Sequence, residues 1–151
     1  MANKKISELT PKAAQLEDSD LVMVSDYNGT TYDTKSVTGA EIRPFKTILF
    51  TLSQTGTSAP TVDWSYETEV SQTFTFARSA AGEYTLTASS ALFTASKTFI
   101  NISLGASGAG TNIGAYRTST TVITFYTADS TAASLLDSLL DVTQLEIKII
   151  K

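Results

Sequence analysis

Val70-Ser71-Gln72-Thr73-Phe74-Thr75-Phe76-Ala77-Arg78-Ser79-Ala80-Ala81-Gly82-Glu83-Tyr84-Thr85-Leu86-Thr87-Ala88 is the stretch whose reading decides the fold. Val70, Phe74 and Phe76 alternate with Thr73 and Thr75, Ala81-Gly82 is a turn signal, and residues 82–88 alternate again. A period of two belongs to a half-buried strand, because successive side chains point to opposite faces. The stretch therefore predicts two strands separated by a turn.

The same pattern extends in both directions. Upstream, Ile48, Phe50 and Leu52 alternate with Thr47 and Thr51, the loop SQTGTSAP follows over 53–60, and Val62-Asp63-Trp64 reads as a short strand. Downstream, Ile100, Ile102 and Leu104 oppose Phe99, Asn101 and Ser103, and GASGAG over 105–110 reads as a hairpin tip. Residues 112–116 and 120–127 look like paired strands, and Leu145, Ile147 and Ile149 share one face of a last strand. One segment has a different period. Leu135, Leu136, Leu139 and Leu140 recur at i, i+1, i+4 and i+5, which predicts a short helix over 129–140. Seven to eight short strands between Gly, Pro, Ser and Asn turns have the spacing of an antiparallel β-sandwich.

Residues 1–45 read differently from the rest. Residues 21–25 are a short strand, Asp26-Tyr27-Asn28-Gly29 is a turn signal, and 30–37 is a second strand. Thr38-Gly39-Ala40-Glu41 has the spacing of a capping box, and Pro44 ends any helix that follows. The predicted architecture is mainly β, with an N-terminal β-hairpin attachment or oligomerisation segment over 1–45 and a β-sandwich over 46–151. A hairpin is marginal in water without a partner. Three copies about an axis would bury Leu9, Leu16, Leu21 and Met23 together.

Composition excludes several classes of function. The 151 residues contain neither Cys nor His, so disulfides, thiolate metal sites and the commonest general base are all missing. A net charge of −4 is wrong for a nucleic-acid surface. No window approaches the roughly 18 apolar residues of a membrane span, and the start lacks the apolar core of a signal peptide. Ser and Thr together make 43 of the 151 residues, which suits exposed strand faces. Neither a nucleic acid nor a membrane is expected as a partner, and no cofactor is expected.

The sequence offers a few candidate chemical sites. Ser96-Lys97 could form a nucleophile–base pair, but adjacent strand residues face opposite ways. Glu67, Glu69 and Glu83 are candidate glycosidase carboxylates, with Glu67 and Glu69 expected on one strand face. Trp64, Tyr66, Tyr84 and Tyr116 are candidate sugar-stacking rings. Asp18, Asp20, Asp26 and Asn28 supply oxygen ligands, but Val22 and Met23 fall where a calcium loop needs a ligand and a glycine. GASGAG lacks the Lys-Ser/Thr of a phosphate loop.

The opening run resembles the short attachment segment of tailed-bacteriophage fibre and virion proteins. The resemblance rests on Ile6-Ser7-Glu8-Leu9, residues 11–16, Asp20-Leu21-Val22-Met23-Val24, Gly29-Thr30-Thr31 with Lys35, and Val37-Thr38-Gly39-Ala40-Glu41-Ile42. The runs at 52–60, 81–87 and 93–99 are similar to small β domains in virion proteins of phages infecting Bacteroidota, such as crAss-like phages. The resemblance implies a structural virion protein, namely a trimeric head fibre or capsid decoration that docks on other capsid or tail proteins. Ile6, Leu9, Leu16, Leu21 and Met23 would serve in anchoring and self-association. A tail-fibre or host-glycan-binding adhesin is the alternative, and a small glycan-cleaving enzyme is the third reading. Exposed aromatic residues would favour the adhesin, and two carboxylates about 5–9 Å apart in a cleft the enzyme.

Overall fold

A computed structural model describes residues 21–27, 29–42, 44–105, 111–131 and 134–151. Two compact units meet in sequence at Arg43 and Pro44. In the first, β1 (Leu21–Tyr27) pairs antiparallel with β2 (Tyr32–Thr38), and the single helical turn α1 (Gly39–Ile42) follows. The Thr38 amide donates to Glu41 Oε2 at 2.6 Å, and the Glu41 amide returns a bond to Thr38 Oγ1 at 3.3 Å. That is the predicted capping box, and the Thr38 amide and hydroxyl hold the Glu41 carboxyl below its usual range.

The second unit is a sandwich of two four-stranded antiparallel sheets, so the predicted fold class holds. Its strands are β3 (Phe45–Ser53), β4 (Thr61–Glu67), β5 (Phe74–Ala80), β6 (Glu83–Ala88), β7 (Thr98–Ser103), β8 (Thr111–Arg117), β9 (Val122–Asp129) and β10 (Thr143–Ile150). Sheet I has the order β4-β3-β10-β7 and sheet II the order β5-β6-β9-β8. Ile48, Phe50, Leu52, Leu145, Ile147 and Ile149 of sheet I pack on Tyr84, Leu86, Ala88, Ile123 and Phe125 of sheet II. Phe50 meets Phe74 and Phe76 edge-on, with ring centroids 5.5 and 5.1 Å apart. Such aromatic pairs add roughly 0.5–1.5 kcal/mol each beyond the area they bury.

Three expectations are corrected. The strand read over 70–77 begins at Phe74, and Val70 is buried in the loop ahead of it. Glu67 closes β4 while Glu69 sits in a left-handed turn at φ 58°, so the two do not share a strand face. The described residues of segment 129–140 form no helix. After Asp129 the chain turns and makes one bridge, Ala128 to Leu135, and Ser138 takes φ 65°. Long-range bonds decide this segment. Asp137 accepts from Arg78, from the Gly82 amide at 2.9 Å and from Tyr84, and the Ser138 amide donates to Gln54 Oε1 at 2.6 Å. A helix would withdraw both residues from these partners.

Candidate functional site

The outward face of sheet I is fixed by strand register. Thr51 lies opposite Trp64 on one side and Gln144 on the other, and Gln144 lies opposite Ser103. The next rank is Tyr66, Leu49, Glu146 and Asn101. Because Ile48, Phe50 and Leu52 face the core, these alternate residues face out. A bulge between Thr51 and Leu52 contributes to the aromatic placement. With Asp63 inserted, Val62 opposes core-facing Leu52 while Trp64 opposes outward Thr51, and Ser53 Oγ donates to Asp63 Oδ2 at 2.6 Å.

Trp64 and Tyr66 are therefore brought together. Their rings lie within 6° of parallel with centroids 6.2 Å apart, and Trp64 is 55% exposed. Beside them a groove of about 330 Å³ is lined by Leu49, Thr51, Trp64, Asn101, Ser103, Gln144 and Glu146, with Phe50 and Leu145 contributing to its floor. Glu146 is ion-paired with Lys148 at 2.9 Å.

The other two candidate rings sit elsewhere. Tyr116 is exposed on β8, opposite Thr124 in sheet II. Tyr84 is fully buried, which corrects its assignment as a sugar-stacking residue. It shares a face of β6 with Leu86 and Ala88, and its ring packs 5.5 Å from that of Phe125. Its hydroxyl lies 3.0 Å from Gln54 Oε1 and 3.1 Å from Asp137 Oδ1, the two acceptors for its proton. Burial pushes its pKa to about 12. Arg78 grips Asp137 through Nε at 3.0 Å and Nη2 at 2.7 Å, and this forked bond holds the Asp137 carboxyl down at about 2. The cluster ties the 134–142 loop to both sheets.

The candidate carboxylates are dispersed. Glu67 lines a separate hollow of about 130 Å³ with Ser65 and Phe74, Glu69 is ion-paired with Lys151, and Glu83 accepts from Ser79 at 2.7 Å. Ser96 and Lys97 lie exposed in the turn before β7. Among the described residues no group of three His, Cys, Asp or Glu side chains is placed to hold a metal. Asp18, Asp20 and Asn28 lie outside the described residues, as do Ile6, Leu9 and Leu16.

The hairpin has two unlike faces. Register puts Leu21, Met23, Ser25 and Tyr27 with Tyr32, Thr34, Ser36 and Thr38 on one face. That face carries no charged residue, and Leu21, Met23, Tyr27 and Tyr32 are exposed on it. The Tyr27 and Tyr32 rings lie 4.9 Å apart. The other face holds Val22, Val24 and Val37 together with Asp26, Asp33 and Lys35, and Lys35 is paired to Asp26. No protein-family model matches the chain, and neither a curated protein nor a solved structure matches it.

Of the groove's lining the sequence singled out Trp64 and not Asn101, Ser103, Gln144 or Glu146, while Tyr66 lines the separate hollow beside Glu67. The available signal was parity. Asn101 and Ser103 alternate with Ile100 and Ile102, so their outward direction was readable. Their neighbours were not, because those come from pairing β7 with β10 across about forty residues of chain.

Proposed function

We propose that this chain is a structural virion protein of a tailed phage, namely a short trimeric head fibre or capsid decoration. The hairpin segment anchors and trimerises it, and the sandwich is displayed. The observation that carries the reading is the hairpin's uncharged face. Leu21 and Met23 are 68% and 67% exposed there, on a two-stranded sheet that is marginal alone. Exposed apolar side chains grouped on one face are what an interaction site presents. The resemblance of residues 6–42 to phage attachment segments supplies the biological setting.

Light scattering on the full chain tests the self-association. The expected mass is three times the 16.1 kDa of one chain, falling to one chain mass in the double variant Met23→Ser, Leu21→Ser. Peptide mass spectrometry on purified phage particles from the source culture tests the location. A monomer at micromolar concentration together with absence from particles overturns the proposal.

A further inference from the structure

We propose that the groove on the outward face of sheet I is a saccharide-binding site. Trp64 is its stacking platform, and Asn101, Ser103, Gln144 and Glu146 are its hydroxyl-reading groups. The inference goes beyond the virion reading and does not use the hairpin.

Three features of the groove point to a sugar. The first is the platform. Tyr66 stacks on Trp64 within 6° of parallel and Trp64 is 55% exposed, so the Trp64 ring is held in place on the edge strand β4 beside the groove. Aromatic faces carry partial negative charge and attract the C–H edges that a pyranose presents on one side. The second is the far wall. Asn101 and Gln144 amides each carry both donors and an acceptor, as a run of hydroxyls requires, and Ser103 and Glu146 add further acceptors. The third is charge. Among the described residues Glu146 is the single ionic side chain lining the groove, and Lys148 neutralises it at 2.9 Å. A phosphate-bearing ligand would need uncompensated cations here, whereas a neutral polyhydroxylated one does not.

Shape and chemistry then separate binding from cleavage. Trp64 and Ser103 stand three strand spacings apart, roughly 14 Å, so the groove accommodates more than one sugar ring. Its volume is at the lower end for ligand sites and it lies open on the sheet, as suits an extended chain entering from solvent. Two-carboxylate hydrolysis needs a second acid, and among the described residues Glu146 is the only one lining the groove. Five of its nine lining residues are polar, a poor match for an apolar peptide or a second copy of the chain.

The full chain, fluorescently labelled, is applied to an array of bacterial capsular polysaccharides, O-antigen chains, and plant and fungal polysaccharides. Soluble oligosaccharides of any positive glycan are then titrated against the intrinsic fluorescence of Trp64, the chain's one tryptophan. The expected result is array signal with a saturable shift in Trp64 emission. Binding should weaken about tenfold or more in Gln144→Ala and in Asn101→Ala. Trp64→Ala should lose array signal, and Tyr116→Ala, on the opposite sheet, should keep it. A blank array overturns the proposal, as does signal that survives Trp64→Ala or falls equally in Tyr116→Ala. A Trp64→Ala variant that changes the oligomer mass without altering glycan signal assigns the face to self-association instead. Circular dichroism on each variant confirms that the sandwich remains folded. Because the hairpin variants leave this face unchanged, failure here and failure of the anchoring reading register in different experiments.

Discussion

The hairpin β1–β2 and the inner strands β6 and β9 use the same vocabulary of β-branched, aromatic and hydroxyl residues, yet they end in opposite states. Tyr84, Leu86, Ile123 and Phe125 are sealed between two sheets, while Leu21, Met23, Tyr27 and Tyr32 are exposed. Alternation specifies that a strand has an apolar face. It does not specify what covers that face. In the sandwich the second sheet covers it, and in the hairpin the exposed face is the reason to expect a docking partner.

The sharpest way to break this comparison is to truncate an aromatic ring in each unit. Phe125→Ala removes a fully buried ring that packs on Phe76 and Tyr84. It should destabilise the sandwich by about 3–5 kcal/mol, read as a lower urea midpoint. Tyr32→Ala removes a ring that is 74% exposed, and it should shift the same midpoint by no more than about 0.5 kcal/mol. Equal losses would dissolve the distinction between a cored and an uncored unit.

Next in size is Asp137→Asn. The substitution removes the charge that Arg78 grips, in a site where the two side chains are only 24% and 16% exposed. A loss of about 1–3 kcal/mol is expected. The sign with pH follows from the depressed carboxyl. Its folded pKa of about 2 lies below the ordinary value of 3.8, so its contribution is complete above that ordinary value and is lost as pH falls toward 2. Melting temperatures from pH 6 to pH 2 should therefore fall more steeply in the native protein than in Asp137→Asn. Parallel curves would remove Asp137 from the set of groups that hold the loop.

A smaller effect of opposite sign is expected at Thr143. Its side chain is fully buried beside Leu52, and its hydroxyl has no hydrogen-bond partner among the described residues. Thr143→Val keeps the shape and deletes the unpaired hydroxyl, so it should stabilise the sandwich by about 1 kcal/mol. A destabilised variant would mean that the hydroxyl is in fact bonded.

Legibility in the sequence followed the reach of the interactions. The strands and the capping box were readable, because alternation at 82–88 and the Thr38–Glu41 spacing are local signals. The 129–140 segment was not, because its leucines carry a helical spacing while Arg78, Gly82 and Gln54, more than fifty residues away, hold Asp137 and Ser138 out of a helix. The candidate site was half legible. Tyr84 shares its parity with Leu86 and Ala88, which already points it inward, so its burial could have been read. That Trp64 and Val62 oppose residues of different faces could not, since a bulge at Asp63 breaks the parity of β4.

The smallest effect tests the hairpin unit from within. Thr38→Ala removes the hydroxyl that accepts the Glu41 amide and donates to its carboxylate at 2.8 Å. Loss of such a cap is a local event, so it should be invisible in the global urea midpoint and visible in amide exchange. The Glu41 amide should exchange roughly two- to fivefold faster, while amides of β6 and β9 keep their native rates. Acid should reproduce the effect in the native chain. The Thr38 amide and hydroxyl hold the Glu41 carboxyl below its usual range, so the cap persists through neutral pH and opens only once pH drops past that lowered value. If Thr38→Ala instead sped exchange in β6 and β9 or lowered the midpoint, the two units would be energetically one.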